Sequence, residues 1–245
     1  MEKITISIVS HGQAKLIEPL LDQLSDFATL ISKVIITINI PEIYSFKNQY
    51  NFSIQVIKNE TIKGFGANHN QAYRSCVTRY FCVMNPDIYI QEDPFVEIVE
   101  YFKDEKIGVL GPQIHDKNFQ LEDNGRYFPT MTSLFMKFLL KDKGIFPIDQ
   151  ESSLTYPDWI AGMFMVFPSR VFEDLEGFDE KYFMYYEDID LCLRIKKYGL
   201  NVGIIPSIKI IHDARRDSHK KLKYMLWHAK SIIRFIVKKN LTNSK

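Results

Sequence analysis

Cysteine is scarce in this 245-residue chain, and none of it is arranged for chemistry. Cys76, Cys82 and Cys192 are odd in number, far apart and without CxxC spacing, which argues against a disulfide framework and a zinc site. A reducing cytosol fits that usage best. Long apolar runs are also missing: the longest candidates, near Leu134–Leu140 and Ile160–Phe167, fall short of the roughly 18 uninterrupted apolar residues of a spanning helix. The opening run Ile4–Val9 is too short for the core of an export signal and, being β-branched, reads as a first strand. There is no internal repeat and no low-complexity tract. A G-x-G-x-x-G fingerprint is absent, so a nicotinamide site is not expected. Ser10-His11-Gly12-Gln13 is a poor candidate for the basic, glycine-rich phosphate loop that a nucleotidyltransferase usually carries near its N-terminus.

Net charge is small as well, +1, but it is unevenly spread. From His212 to Lys245 ten Lys and Arg stand against Asp213 and Asp217, so this tail is +8 and residues 1–211 carry −7. Such asymmetry points to an acidic-surface partner for the tail. Between Lys220 and Lys239 the cations alternate with Leu222, Met225, Leu226, Trp227, Ile232, Ile233, Phe235, Ile236 and Val237. Two readings stay open: a helix in an anionic membrane interface with Trp227 near the headgroups, or a helix packed on the domain with a solvated basic face. Nucleic acid is not expected, because no reader motif accompanies the charge.

With 46% hydrophobic residues, the chain can bury a substantial core, and it reads as one domain over residues 1–215 with a basic helical tail over 216–245. Its first half alternates Ile4–Val9, Leu16–Leu30, Val34–Ile38, Ile54–Ile57, Asn68–Arg79 and Tyr80–Met84, strand-like and amphipathic runs in turn. That alternation predicts an α/β fold with a mostly parallel sheet covered on both faces. Ligands of such sheets sit beyond the carboxyl ends of the strands. Three of those ends carry polar groups: Ser10-His11, Asn39 and Asn85-Pro86-Asp87. Gly108–Pro112 reads as a turn closing a further strand, His115–Pro157 as loop-rich, and Trp159–Phe167 as a buried strand. A short helix is expected over Phe172–Phe178, ended at Gly177, and another from Asp188 to Tyr198, stopped at Gly199.

Chemistry is concentrated in few places. Asp87 is a carboxylate at the mouth of a buried strand, stiffened by Pro86, and could ligate a hard divalent cation on a diphosphate; an ordinary Asn-Pro-Asp turn is the plainer explanation. Glu187, Asp188 and Asp190 open a helix, where carboxylates cap and complement the dipole, yet three behind the aromatic run Tyr182–Tyr186 exceed what capping needs. A carboxylate placed there could take the proton of an attacking hydroxyl, and Asp188 is the candidate base. Asp190 is expected to pair with Arg194 at i,i+4. His212 ends the run Ile204–Ile211, where a histidine is either structural or a second metal ligand beside Asp87. Gly64-Phe65-Gly66-Ala67-Asn68-His69-Asn70 reads as a glycine-containing loop entering a helix, with amides that could meet phosphate or ribose or that simply make a turn.

Taken in order, Ile8-Val9-Ser10-His11-Gly12, Gly64–Asn70, Met84-Asn85-Pro86-Asp87, Asp158-Trp159-Ile160-Ala161-Gly162 and Gly177–Arg194 resemble family 2 glycosyltransferases of the GT-A fold. Among them the pattern is most similar to the rhamnosyltransferases of bacterial O-antigen and cell-surface polysaccharide synthesis. The resemblance implies that Asn85-Pro86-Asp87 stands where the family has Asp-x-Asp, with Asp87 a ligand of Mg²⁺ or Mn²⁺ and Asn85 in place of the first Asp. It implies Asp188 as the base of an inverting transfer and His212 as the downstream metal-binding histidine. Nucleotide-sugar contacts would come from Ser10, His11, Asn39, Gly66, Asn68, Asn85 and Asp87, and acceptor contacts from Trp159, Gly162 and Glu187. The implied donor is dTDP-rhamnose and the acceptor a polyprenyl-diphosphate-linked saccharide, used by a cytoplasmic enzyme peripheral on the inner face of the membrane. A non-catalytic saccharide-binding or assembly module and, further off, a nucleotidyltransferase are the competing readings.

Overall fold

Alternation within the strands sets the two faces of the sheet. In β1 (Ile4–Ser10), Ile4, Ile6 and Ile8 point into one apolar cluster. In β4 (Tyr80–Met84), Tyr80, Cys82 and Met84 join that cluster while Phe81 and Val83 enter another on the opposite face. A strand buried on both sides reads as a continuous apolar run, and all five residues of β4 are buried. The computed structural model describes residues 2–27, 29–47, 49–130, 132–133, 144–213 and 222–243. The expected patch at Leu134–Leu140, the cations Arg215, Arg216, Lys220 and Lys221, and the expected domain boundary lie outside the described residues.

The remaining strands are β2 (Ile31–Ile38), β3 (Ser53–Lys58), β5 (Ile88–Tyr89), β6 (Ile107–His115), β7 (Gly125–Arg126), β8 (Trp159–Ile160), β9 (Phe164–Pro168) and β10 (Asn201–His212). Eight of them form one sheet in the order β3-β2-β1-β4-β9-β6-β10-β5, and β7 and β8 pair separately. From β3 to β4 the strands are parallel, as is the β6–β10 pair; β9 runs antiparallel to β4 and β6, and β5 antiparallel to β10. The parallel half therefore lines up the carboxyl ends of β1, β2, β3 and β4 at one edge.

Helices α1 (Ala14–Asp26) and α3 (Phe95–Tyr101) cover the first face, through Ile17, Leu20, Leu21 and Leu24 and through Phe95, Ile98 and Val99. On the second face lie α2 (Phe65–Tyr73), α4 (Ser169–Asp174) and α5 (Glu187–Lys197), with Phe172, Leu191, Cys192 and Ile195 buried. Helix α5 begins at the acidic cluster and stops before Gly199, whose φ of +89° is the left-handed conformation that ends helices. The chain after α4 turns at Glu176 and Gly177, both left-handed, so that helix starts at Ser169 and ends at Asp174, before the expected end of Phe172–Phe178.

Three expectations are revised. Helix α2 starts at Phe65 rather than Asn68, because Asn68 donates from its backbone and side chain to Gly64 O and closes the first turn inside the glycine segment. Gly108–Pro112 is not a turn but the middle of β6, where a Cβ on Gly108 would lie 2.5 Å from Ile195 and one on Gly111 3.1 Å from Ile160, so glycine lets neighbouring elements approach. The run Trp159–Phe167 is broken into β8 and β9 at Ala161-Gly162-Met163.

The C-terminal helix α6 (Leu222–Asn243) packs on the segment before α5. Phe235 is fully buried against Tyr186 and Phe128, and Ser231 Oγ donates to Met184 O at 3.0 Å. Trp227 packs on Phe183 with ring centres 4.5 Å apart, which holds it against the domain. Arg234 and Lys238 pair with Asp179 at 2.9 and 3.1 Å, and Lys238 reaches Asp190 at 2.6 Å. Burial would raise the Asp179 pKa, but the hydrogen bonds from Arg234, Lys181 N–H and Lys238 prevail and hold it at about 2. Among the described residues no helix is long and apolar enough to cross a membrane.

Candidate active site

The polar groups at the ends of β1, β2 and β3 are bonded to one another. Ser10 Oγ accepts Gln13 N–H at 3.1 Å and steadies the entry to α1. Asn39 uses its whole amide: Nδ2 reaches His11 Nδ1 at 3.1 Å and Lys63 O at 3.0 Å, while Oδ1 accepts from Asn59 Nδ2 and Lys63 N, both at 2.9 Å. Asn59 Nδ2 also donates to Asn68 Oδ1 at 2.6 Å. A continuous chain, His11–Asn39–Asn59–Asn68, thus braces the strand ends against α2, and Asn59 Oδ1 is its one buried oxygen without a partner. Asn59 and Lys63 were not singled out from the sequence. Asn59 follows the strand-like run Ile54–Ile57, so the criterion that found Asn39 would have found it. Gly66 faces Phe178, where a Cβ would come within 2.5 Å of Phe178 Cβ, a packing reason for glycine there.

Asp87 and His212 are brought together by a short pairing. β5 meets β10 in the register His212↔Ile88, and Asp213 N donates to Asp87 O at 3.0 Å. His212 Nε2 faces Asp87 Oδ1 at 3.4 Å, and these two buried atoms have no partner but each other. Two ligands on adjacent corners of an octahedral cation with bonds of about 2.1 Å stand roughly 3 Å apart, so these two atoms fit one divalent ion. Among the described residues no cluster of three or more His, Cys, Asp or Glu side chains could hold a metal, so further ligands would be phosphate oxygens and water.

Behind His212 lies a residue that sequence reasoning missed. Glu122 Oε2 sits 2.9 Å from His212 Nδ1, delivered by the turn that follows β6, where Glu122 N bonds Ile114 O at 2.8 Å. A carboxylate on one ring nitrogen fixes the imidazole and turns the other nitrogen toward a cation. Burial lowers the His212 pKa, but hydrogen bonds and attraction from Asp87 and Glu122 outweigh it and raise it to about 9.

At the entry to α5, Tyr185 and Tyr186 both adopt left-handed backbone, φ +69° and +72°, immediately before Glu187. Consecutive non-glycine residues there are strained, and such strain clusters at functional sites. Asp188, half-buried, accepts Ile189 N–H at 2.8 Å and Gly162 N–H at 3.0 Å. Burial raises its pKa above the ordinary value, against the lowering by those amides and by Arg126. The carboxyl of Glu187 is more deeply buried, and burial together with repulsion from Asp188 raises its pKa well above the usual range. Its Oε2 has no partner. Asp190 is bonded to Arg194 Nε at 2.8 Å, as the spacing predicts, and takes Lys238 besides, so its role is structural.

The two acidic positions are tied through adjacent residues. Gly162 N–H holds Asp188, while Met163 O accepts Asn85 N–H at 2.9 Å. Asn124 O receives Ala161 N–H, and Asn124 N bonds Glu122 O, which joins the His212 support to the same crossing. Gly162 is tight, since a Cβ would lie 3.2 Å from the Phe65 ring and 3.6 Å from Asp188. Beside it Trp159 is half-buried, with Nε1 donating to Tyr127 O at 3.0 Å and the Arg126 guanidinium 5.8 Å from its ring centre. Arg126 also escaped sequence reasoning, which had nothing local to mark a lone arginine in a loop-rich stretch.

Comparison with known proteins bears on the family and the fold. Residues 43–226 match the profile of glycosyltransferase like family 2. The chain is 30% identical to the rhamnosyltransferase WbbL of Escherichia coli K12, over 99% of this chain and 96% of that protein. It is 26% identical to the N-acetylglucosaminyl-diphospho-decaprenol L-rhamnosyltransferase of Mycobacterium tuberculosis H37Rv, over 73% of this chain and 61% of the relative. The fold is similar to GalNAc-T7 crystallised with UDP, GalNAc and Mn²⁺, with a TM-score of 0.66 at 14% identity over 88% of this chain and 44% of that one. The architecture is therefore GT-A.

Proposed function

Since the chain belongs to the family 2 glycosyltransferases, we propose that it transfers L-rhamnose with inversion from dTDP-rhamnose to a polyprenyl-diphosphate-linked saccharide, in O-antigen or related polysaccharide synthesis. The observation that carries this reading is the crossing at Gly162-Met163, which bonds Asp188 on one side and the Asn85-Pro86-Asp87 turn on the other. A base and a diphosphate-side carboxylate are thereby held by one rigid piece of backbone. The sugar is supported by the name of WbbL, and the lipid-linked acceptor by that of the mycobacterial relative.

In this mechanism Asp188 takes the proton of the acceptor hydroxyl as its oxygen bonds the anomeric carbon. The bond from that carbon to phosphate breaks, its electron pair leaves with the nucleoside diphosphate, and the anomeric centre inverts. The Gly162 and Ile189 amides fix the direction of the carboxylate, and the raised Asp188 pKa makes it a stronger base than an exposed aspartate. Asp87 and His212 would hold Mg²⁺ or Mn²⁺, which when bound neutralises charge on the diphosphate. Glu122 keeps the His212 ring in place for that purpose. His11, Asn39 and Asn59 frame the nucleotide, and Trp159, Gly162 and Glu187 shape the acceptor side. The enzyme acts at the cytoplasmic face of the membrane that carries its acceptor.

The test is a donor panel of dTDP-rhamnose, UDP-N-acetylglucosamine and GDP-mannose with lipid-linked saccharide, with and without Mg²⁺ or Mn²⁺, reading nucleoside-diphosphate release and acceptor mass. We expect metal-dependent turnover of dTDP-rhamnose alone. Turnover of another donor would overturn the sugar assignment, and full activity in chelator would overturn the metal site.

A further inference from the structure

Helix α6 has two apolar faces, and among the described residues only one of them is covered. Ser231 and Phe235, four residues apart, are buried against the domain. On the opposite side Leu226, Lys230, Ile233 and Val237 follow one another at intervals of four, three and four, one stripe of a helix. Leu226 is 63% exposed, Ile233 65% and Val237 53%, with Met225 on the flank at 63% and Ala229 also exposed. The outer face of a surface helix is normally its polar one. Here the cations expected on that face turn elsewhere: Arg234 and Lys238 are bonded to Asp179 and Asp190, and Lys239 to Pro129 O.

We propose that this stripe docks on the anionic membrane surface that bears the acceptor, with Leu226, Ile233 and Val237 entering the headgroup boundary. The inference rests on the lipid-linked acceptor of the proposed function and assigns the surface that meets the lipid. Charge selects the occupant. Arg215, Arg216, Lys220, Lys221 and Lys223 lie in the sequence just before or at the start of the helix, and Lys230 stands within the stripe. Anionic headgroups complement them, whereas a second copy of the chain would set one +8 tail against another. Because the inner face of α6 is bonded to Met184 O and Asp190, docking would also set the catalytic segment at a fixed height above the bilayer.

The experiment compares the full chain with the triple variant Leu226→Ser, Ile233→Ser, Val237→Ser in co-sedimentation with phosphatidylcholine vesicles, with and without phosphatidylglycerol. The exposed positions keep the fold, which circular dichroism and the melting temperature check. Loss of three immersed aliphatic side chains should weaken binding to the anionic vesicles roughly 10- to 100-fold. Transfer to a water-soluble, short-chain analogue of the acceptor should be unchanged, while transfer to acceptor embedded in vesicles falls. Equal sedimentation of variant and parent would overturn the proposal, as would a parent that is a dimer ignoring vesicles and a variant that is a monomer. Absence of transfer to the soluble analogue by the parent would instead fault the proposed function, leaving the vesicle measurement to judge the surface by itself.

Discussion

The two halves of the site differ in how far their polar groups are satisfied. At the ends of β1, β2 and β3, Ser10, His11, Asn39 and Asn68 are bonded to the protein, and Asn39 has every donor and acceptor of its amide engaged. Around the Gly162-Met163 crossing, Glu187 Oε2 is buried with no hydrogen-bond partner, Asp87 Oδ1 and His212 Nε2 have only each other at 3.4 Å, and the backbone at Tyr185 and Tyr186 is left-handed. Buried polar atoms left unpaired cost free energy, so the fold tolerates them where a ligand can complete them. In the proposed function the first half shapes a cleft, and the second supplies what acts in it.

Substitutions sharpen that contrast. Asp188→Asn keeps the shape of the side chain and removes the base, so transfer should fall about 10²- to 10⁴-fold with donor binding retained, measured by initial rates and donor titration. Normal transfer by this variant would remove Asp188 from the mechanism. Glu122→Ala should weaken Mn²⁺ affinity about 10- to 100-fold, read by paramagnetic resonance titration of the unliganded enzyme, with partial rescue in Glu122→Gln. Unchanged titrations would make the Glu122–His212 contact merely structural. Asn39→Ala leaves Lys63 N–H and O and Asn59 without their partner, and about 1–3 kcal/mol of stability should be lost in denaturant melts. Were it to abolish turnover without loss of stability, Asn39 would belong with the acting half.

The smallest effect is a pH dependence. Because the Glu187 pKa is raised in the folded state, the native protein holds that proton to higher pH than the unfolded chain. Between the ordinary value of 4.5 and the folded value, stability therefore falls as pH rises. Glu187→Gln mimics the neutral form and should melt higher than the parent at alkaline pH, with the difference fading toward pH 4.5. A difference that is constant with pH would show that Glu187 is ionised in the native state.

Much of this was legible in the chain. The alternation of apolar and amphipathic runs led to the α/β sheet, and the resemblance named its GT-A type. The Asp190–Arg194 pair, the start of α5 at the acidic cluster and the strand-end position of His212 followed from spacing alone. The misreadings have a common origin. Gly108 and Gly111 look like turn residues in isolation, and only the press of Ile195 and Ile160 against β6 explains glycine inside a strand. For Trp227, Arg234 and Lys238 the sequence leaves a lipid-facing and a domain-facing place equally open, and only the structure shows them on Phe183, Asp179 and Asp190.

By itself, then, the sequence determined most of the elements and marked Asp87 and Asp188 as candidate carboxylates, since periodicity, capping and strand-end polarity act within a few residues. Tertiary structure decided which groups meet: Glu122 behind His212, 90 positions on, and Gly162 against Asp188, 26 positions on. It also decided that the outer face of α6 would be mostly apolar, with Lys230 among its aliphatic side chains. Contacts of that range depend on how the sheet orders its strands, and pairing such as β5 with β10 has no signature within either segment.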